Sequence, residues 1–119
     1  MPKTNKETLE QGNAAISRGD YEGFLTLCTE DTAWTFEGDQ TLKGKAAVRE
    51  YMKATYKEPP KFKVHRMIAE GDFVAAMGEI TLKDEQGKAV DNTYCDVWRF
   101  RDGKMAELRA FVVESKTSA

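Results

Sequence analysis

The sequence predicts an α+β fold, with helices first and an antiparallel sheet after them. Up to about residue 57, apolar side chains recur at helical spacing between capping signals. From residue 62 onwards, runs of alternating side chains are separated by short turns. Helices followed by strands favour an α+β fold over a parallel βαβ arrangement. In such a fold the helices can cover only one face of the sheet.

Three helices are predicted in the first half. Thr4 and Glu7 have the spacing of a capping box for a helix that ends near Arg18. Asp20 can cap a short second helix, and the third is predicted over residues 45–57, before two prolines that stop it.

The predicted strands cover residues 32–37, 62–70 and 73–83, followed by a closing pair. The closing pair is joined by a tight turn at Asp102 and Gly103. No linker divides the chain, so residues 1–119 are predicted to form a single domain.

Composition argues against several classes of protein. The 119 residues are 40% hydrophobic and 32% charged, and 18 Lys and Arg against 20 Asp and Glu give a net charge of −2. This balance does not suggest a nucleic-acid-binding surface. No apolar run is long enough for a membrane span, and the polar start lacks a secretion signal, so we expect a cytoplasmic protein.

Metal and cofactor sites are not expected. Cys28 and Cys95 form no Cys-x-x-Cys pair, and His65 is the only histidine. The sequence therefore does not predict a zinc site. We interpret both cysteines as free thiols that pack as small hydrophobic residues.

Asp96 is the strongest candidate for chemistry. In the closing strands, Tyr94, Asp96, Trp98 and Phe100 share one face, which places a carboxyl group in an aromatic row. Burying a charge is costly, so such a group finds a partner or changes its pKa. Asp96 is either a general acid or hydrogen-bond donor, or a structural carboxylate bonded to Tyr94, Tyr51 or a backbone amide.

Glu79 and His65 are reserve candidates for a base. If Met77, Glu79 and Thr81 face a pocket, Glu79 is a second carboxylate near Asp96. A shift of one residue in the strand register turns the Glu79 side chain outwards, and the sequence pattern favours that exposed or dimer-facing position. His65 can act as a base near neutral pH, although its pattern favours a surface or interface position.

Two further groups of side chains have alternative roles. An apolar ligand pocket and ordinary core packing both explain Trp34, Tyr51, Tyr94 and Trp98. The opposite face of the closing strands is mixed but largely apolar, which suits a homodimer interface. Its members are Cys95, Val97, Arg99, Arg109, Phe111 and Val113.

Four segments resemble the SnoaL-like and ketosteroid isomerase-like families of the nuclear transport factor 2-like superfamily. They are Arg-Gly-Asp-Tyr-Glu-Gly-Phe at 18–24, Thr-Glu-Asp-Thr-Ala-Trp at 29–34, Leu-Lys-Gly-Lys-Ala-Ala-Val-Arg-Glu-Tyr-Met at 42–52 and Cys-Asp-Val-Trp-Arg-Phe-Arg-Asp-Gly-Lys at 95–104. The resemblance implies a strongly curved sheet wrapped around helices, a deep apolar pocket and a dimer. It also implies one of several activities, including isomerase, cyclase, hydrolase and dehydratase, or binding alone.

The resemblance carries over only in part. Asp96 falls where ketosteroid isomerases place a buried acid that donates a hydrogen bond to a developing oxyanion. Phe36 falls near the position of their general base, and the position of their tyrosine lands on Gly12. Glu37 is an alternative base, but in a continuing strand it points away from Phe36. The chain is therefore not expected to be a steroid isomerase of the usual mechanism.

Together these observations predict a small-molecule-binding homodimer. Its activity would be cofactor-free acid–base chemistry on a partly apolar carbonyl compound, such as isomerisation, cyclisation or dehydration. Asp96 would supply the proton, with Glu79 or His65 as the base. The alternative is a non-catalytic ligand-binding or dimerisation module.

Overall fold

The fold is a curved six-stranded sheet with three helices, as a computed structural model describes it for residues 3–115. This confirms the predicted α+β class. The helices are α1 (Asn5–Ser17), α2 (Tyr21–Leu25) and α3 (Lys45–Thr55). The strands are β1 (Cys28–Phe36), β2 (Gln40–Lys43), β3 (Lys61–Glu70), β4 (Phe73–Lys83), β5 (Ala89–Arg101) and β6 (Lys104–Glu114).

The strand order is β2-β1-β6-β5-β4-β3. The last four strands form the expected antiparallel meander, but β1 pairs with β6 in parallel. The expectation of a wholly antiparallel sheet was wrong at this pair, and strand β2 was not predicted. β1 and β6 are far apart in sequence, so no local pattern reports their pairing.

The predicted capping and turn residues form the contacts expected of them. The Thr4 side chain accepts a hydrogen bond from the Glu7 amide, and the Glu7 side chain accepts one from the Thr4 amide. Asp20 accepts a hydrogen bond from the Gly23 amide at the start of α2. The hairpin turn has φ of 53° at Asp102 and 77° at the following glycine, as a type I′ turn requires.

Gly78 allows β3 and β4 to approach closely beside a bulge. A Cβ atom there would lie 2.0 Å from the carbonyl oxygen of Lys63 and 2.9 Å from the Tyr94 hydroxyl. Both distances are far below van der Waals contact, so only glycine fits. The pairing register of β3 shifts just after this point, between Val64 and Arg66.

The helices cover the inner face of the sheet and leave its outer face open. The core is built from buried residues of all three helices and of the inner strand positions, such as Leu9, Phe24, Met52, Trp98 and Met105. Large apolar side chains remain exposed on the outer face, namely Ile68, Phe73, Phe111 and Val113. Within residues 3–115, no helix is both long and apolar enough to cross a membrane.

Candidate functional site

A cavity of about 310 Å³ lies between the inner face of the sheet and the helices. This volume is at the lower end of the range of small-molecule sites, roughly 300–1,000 Å³. Its wall is mainly apolar and aromatic. Eight aromatic side chains line it: Phe24, Trp34, Phe36, Tyr51, Tyr56, Phe62, Tyr94 and Trp98.

Trp34 is the centre of the aromatic wall. Its ring lies edge-to-face against Phe24, Phe36, Tyr51 and Trp98, with centroid distances of 5.7 to 6.4 Å. Edge-to-face pairs at such distances are favourable beyond their buried area. The same aromatic side chains therefore pack against one another in the core and line the cavity.

Asp96 projects from β5 into this cavity without a polar partner. Its neighbours across the sheet are Ala76 on β4 and Ala110 on β6, both almost completely buried. No group in residues 3–115 forms a hydrogen bond to its carboxyl, so the bonds to Tyr94 or Tyr51 that a structural role predicts are not present. Burial raises the pKa of Asp96 from 3.8 to about 7.

The tyrosines around Asp96 are donors and not bases. Burial, and secondarily the nearby Asp96, raise the pKa of Tyr94 to about 12. Burial also raises the pKa of Tyr51 and of Tyr56 above the ordinary range of tyrosine. These hydroxyl groups therefore keep their protons at neutral pH.

Tyr56 and Asn13 are cavity residues that the sequence analysis missed. Tyr56 follows α3, and its backbone carbonyl accepts a hydrogen bond of 2.8 Å from the Tyr21 hydroxyl. An aromatic residue just before two prolines was the available signal. Asn13 lines the cavity one residue beyond Gly12, the position suggested by the resemblance.

Two more acidic residues line the cavity, on the turn after β1. β1 ends at Phe36, so strand alternation no longer sets the direction of Glu37, and both Glu37 and Asp39 line the cavity. The Glu37 carboxylate accepts a hydrogen bond of 3.0 Å from the Arg109 guanidinium. Glu37 is thus paired with a cation, whereas Asp39 lies exposed in the turn.

The structure places Glu79 and His65 outside the cavity, which corrects the hypothesis that they supply its base. Their side chains lie 2.5 Å apart on the outer face, and are 60% and 47% exposed. The physical reason is register: β4 turns Ile80 and Leu82 towards the cavity, so the odd-numbered Glu79 faces outwards.

Residues 3–115 contain no group of three or more His, Cys, Asp or Glu side chains placed to hold a metal ion. The lining residues of the cavity in this part of the chain carry carboxyl, hydroxyl, amide and aromatic groups.

The fold is that of NTF2-like proteins. Bal32a, from a soil-derived mobile gene cassette, is similar with a TM-score of 0.81 and 24% identity over 91% of this chain and 88% of that one. A putative SnoaL-like polyketide cyclase from Jannaschia sp. has a TM-score of 0.78 and 17% identity over 94% of this chain and 90% of that one. TerC, co-crystallized with polyporic acid, has a TM-score of 0.76 and 21% identity over 89% of this chain and 88% of that one.

The chain belongs to the SnoaL-like family. The family model described as a SnoaL-like domain matches residues 9–108, which include α2, α3 and strands β1 to β5. This confirms the resemblance found in the sequence. The comparison with curated proteins finds no match.

Asp96→Asn should make folding stability less dependent on pH. The pKa of Asp96 is higher in the folded chain than in the unfolded chain, so its contribution to stability falls as pH rises from about 4 to about 7. The variant avoids this loss, and its advantage should reach at most about 4 kcal/mol above neutral pH. Urea unfolding near pH 4.5 and pH 8 measures the difference.

Asp72→Asn is the matched control for that experiment, because Asp72 is exposed in the turn before β4. Its effect on the free energy of unfolding should be small at both pH values. An Asp96→Asn effect that is equally large at both pH values would contradict a desolvated carboxyl.

Proposed function

We propose that this protein binds a small, partly apolar carbonyl compound in the cavity and moves a proton on it with Asp96. The observation that carries the proposal is the position of Asp96: an unpartnered carboxyl group among aromatic rings, with a pKa of about 7. Such a group is protonated and ionised in similar amounts at neutral pH, which suits general acid–base catalysis. Membership of the SnoaL-like family supports a small-molecule ligand.

The proposed chemistry needs only the carboxyl group and the ligand. Ionised Asp96 takes a proton from the carbon next to the carbonyl, and the electron pair of that C–H bond forms an enolate. The resulting carboxylic acid returns the proton to carbon or to the enolate oxygen. Glu79 and His65 have no part in this scheme, because they lie on the outer face.

Binding without catalysis is the second candidate function. The observation that favours it is that the Glu37 carboxylate, the alternative base, already accepts a hydrogen bond from the Arg109 guanidinium. In that case the cavity holds a ligand, and Asp96 forms a hydrogen bond to it without proton transfer.

Proton exchange of 4-phenylbutan-2-one in D₂O tests the catalytic function. The protein should accelerate exchange of the protons next to the carbonyl, as followed by proton NMR. Asp96→Asn should reduce the acceleration at least about tenfold, because general acid–base catalysis contributes on the order of 10²–10⁴ in rate. Asp72→Asn should retain it.

Saturation-transfer NMR with the same ketone separates the two candidates. Binding without accelerated exchange would contradict catalysis and support the binding function. Failure of the ketone to bind would contradict both for this class of ligand.

We also propose that the outer face of the sheet forms a homodimer. Phe111 and Val113 lie on that face, 40% and 67% exposed, among further apolar side chains from β3, β4 and β5. An exposed apolar sheet face of this kind favours association with a second copy.

Val113→Glu should shift the protein towards the monomer in sedimentation velocity at micromolar concentration, because it places a charge in the proposed interface. Ala54→Glu, on the exposed surface of α3, is the matched control and should leave the dimer intact. A wild-type protein that sediments as a monomer would contradict the dimer.

A further inference from the structure

The ionisable side chains that line the cavity within residues 3–115 include carboxyl groups but no cation. Asp96, Glu37 and Asp39 line the cavity, and no Lys, Arg or His of residues 3–115 does. Arg109 balances Glu37 through their 3.0 Å contact, but Asp96 has no cation beside it. A ligand that carried a carboxylate or phosphate would lose its hydration and find no cationic side chain among the lining residues, so the cavity disfavours anions.

The aromatic wall favours a positive charge for a second, independent reason. The faces of Trp, Tyr and Phe rings carry negative potential, and they attract a cation within about 6 Å of the ring centre. Tyr94 and Trp98 flank Asp96 on the same face of β5, and Tyr56 lies close enough for Asp96 to help raise its pKa. A cation at this position would contact a carboxylate and several rings at once.

We propose that the cavity binds an apolar amine in its ammonium form, with the nitrogen against Asp96 and the apolar body against the aromatic wall. This inference rests on the proposed function only in taking the cavity as a ligand site. It adds a class of ligand and does not require the proton transfer proposed for carbonyl compounds. A desolvated ion pair supported by ring faces is stronger than either contact in water.

The pH dependence of binding follows from the groups that face Asp96. Tyr94 lies on the same strand as Asp96, Tyr51 lies in α3 and Tyr56 follows that helix, while Glu37 and Asp39 on the turn after β1 line the same cavity. β4 and β6 contribute alanines beside it. The tyrosines stay protonated, so Asp96 is the group that gains negative charge as pH rises through neutrality.

Four probes of similar size and different charge test the inference. They are 3-phenylpropylamine, 3-phenylpropan-1-ol, 3-phenylpropanoate and 4-phenylbutan-2-one, each titrated calorimetrically into the wild-type protein near pH 8 and near pH 5.5. Near pH 8 the amine should bind at least about tenfold more tightly than the alcohol, and the carboxylate should bind most weakly. Near pH 5.5, where Asp96 is mostly protonated, the preference for the amine should shrink.

Asp96→Asn should remove the preference for the amine and leave the alcohol bound, whereas Asp72→Asn should behave as the wild type. Equal binding of amine and alcohol near pH 8, or a preference that survives in a folded Asp96→Asn variant, would overturn the inference while the ketone and alcohol data still support a ligand site. If no probe binds, both this inference and the proposed function fail. The wild-type pH comparison decides the question even if the variant does not fold.

Discussion

A carboxyl group occupies an inward position of a central strand without a polar neighbour, and the chemistry of the cavity depends on this one constraint. Asp96 lies on β5 between Ala76 and Ala110, so neither adjacent strand supplies a donor or a cation. Small neighbours also leave space, and the cavity occupies part of it. The same sheet geometry therefore creates the cavity and isolates the acid that faces it.

This constraint costs folding free energy, and the rest of the molecule offsets the cost. The aromatic cluster around Trp34 and the buried helix residues, such as Leu9 and Met52, supply apolar burial and edge-to-face contacts. A carboxyl that found a partner at this position would stabilise the fold more. Leaving it unpaired is typical of a site where stability is given up for binding or chemistry.

Much of the fold could be predicted because its signals are local. The capping box at Thr4 and the Asp102–Gly103 turn report on their own neighbourhood, and alternation in β5 placed Asp96 correctly among Tyr94 and Trp98. The parallel pairing of β1 with β6 could not be predicted, because the two strands are separated by most of the chain.

The cavity was predicted less completely for the same reason. For Glu79, alternation favoured the outward direction without excluding the inward one, and the pairing of β4 with β5 fixes it outwards. Glu37, Asp39 and Tyr56 reach the cavity from turns and segment ends. Side-chain direction there depends on backbone geometry, which residue periodicity does not encode.

A carbon-13 NMR titration of the side-chain carboxyl groups tests the central claim most directly, with Asp96→Asn used to assign the resonance. A pKa of about 7 for Asp96, against its ordinary value of 3.8, is the result that the account predicts. A pKa at or below 3.8 would mean that the carboxylate is solvated or paired in solution, and would contradict both the proposed proton transfer and the desolvated site on which it depends.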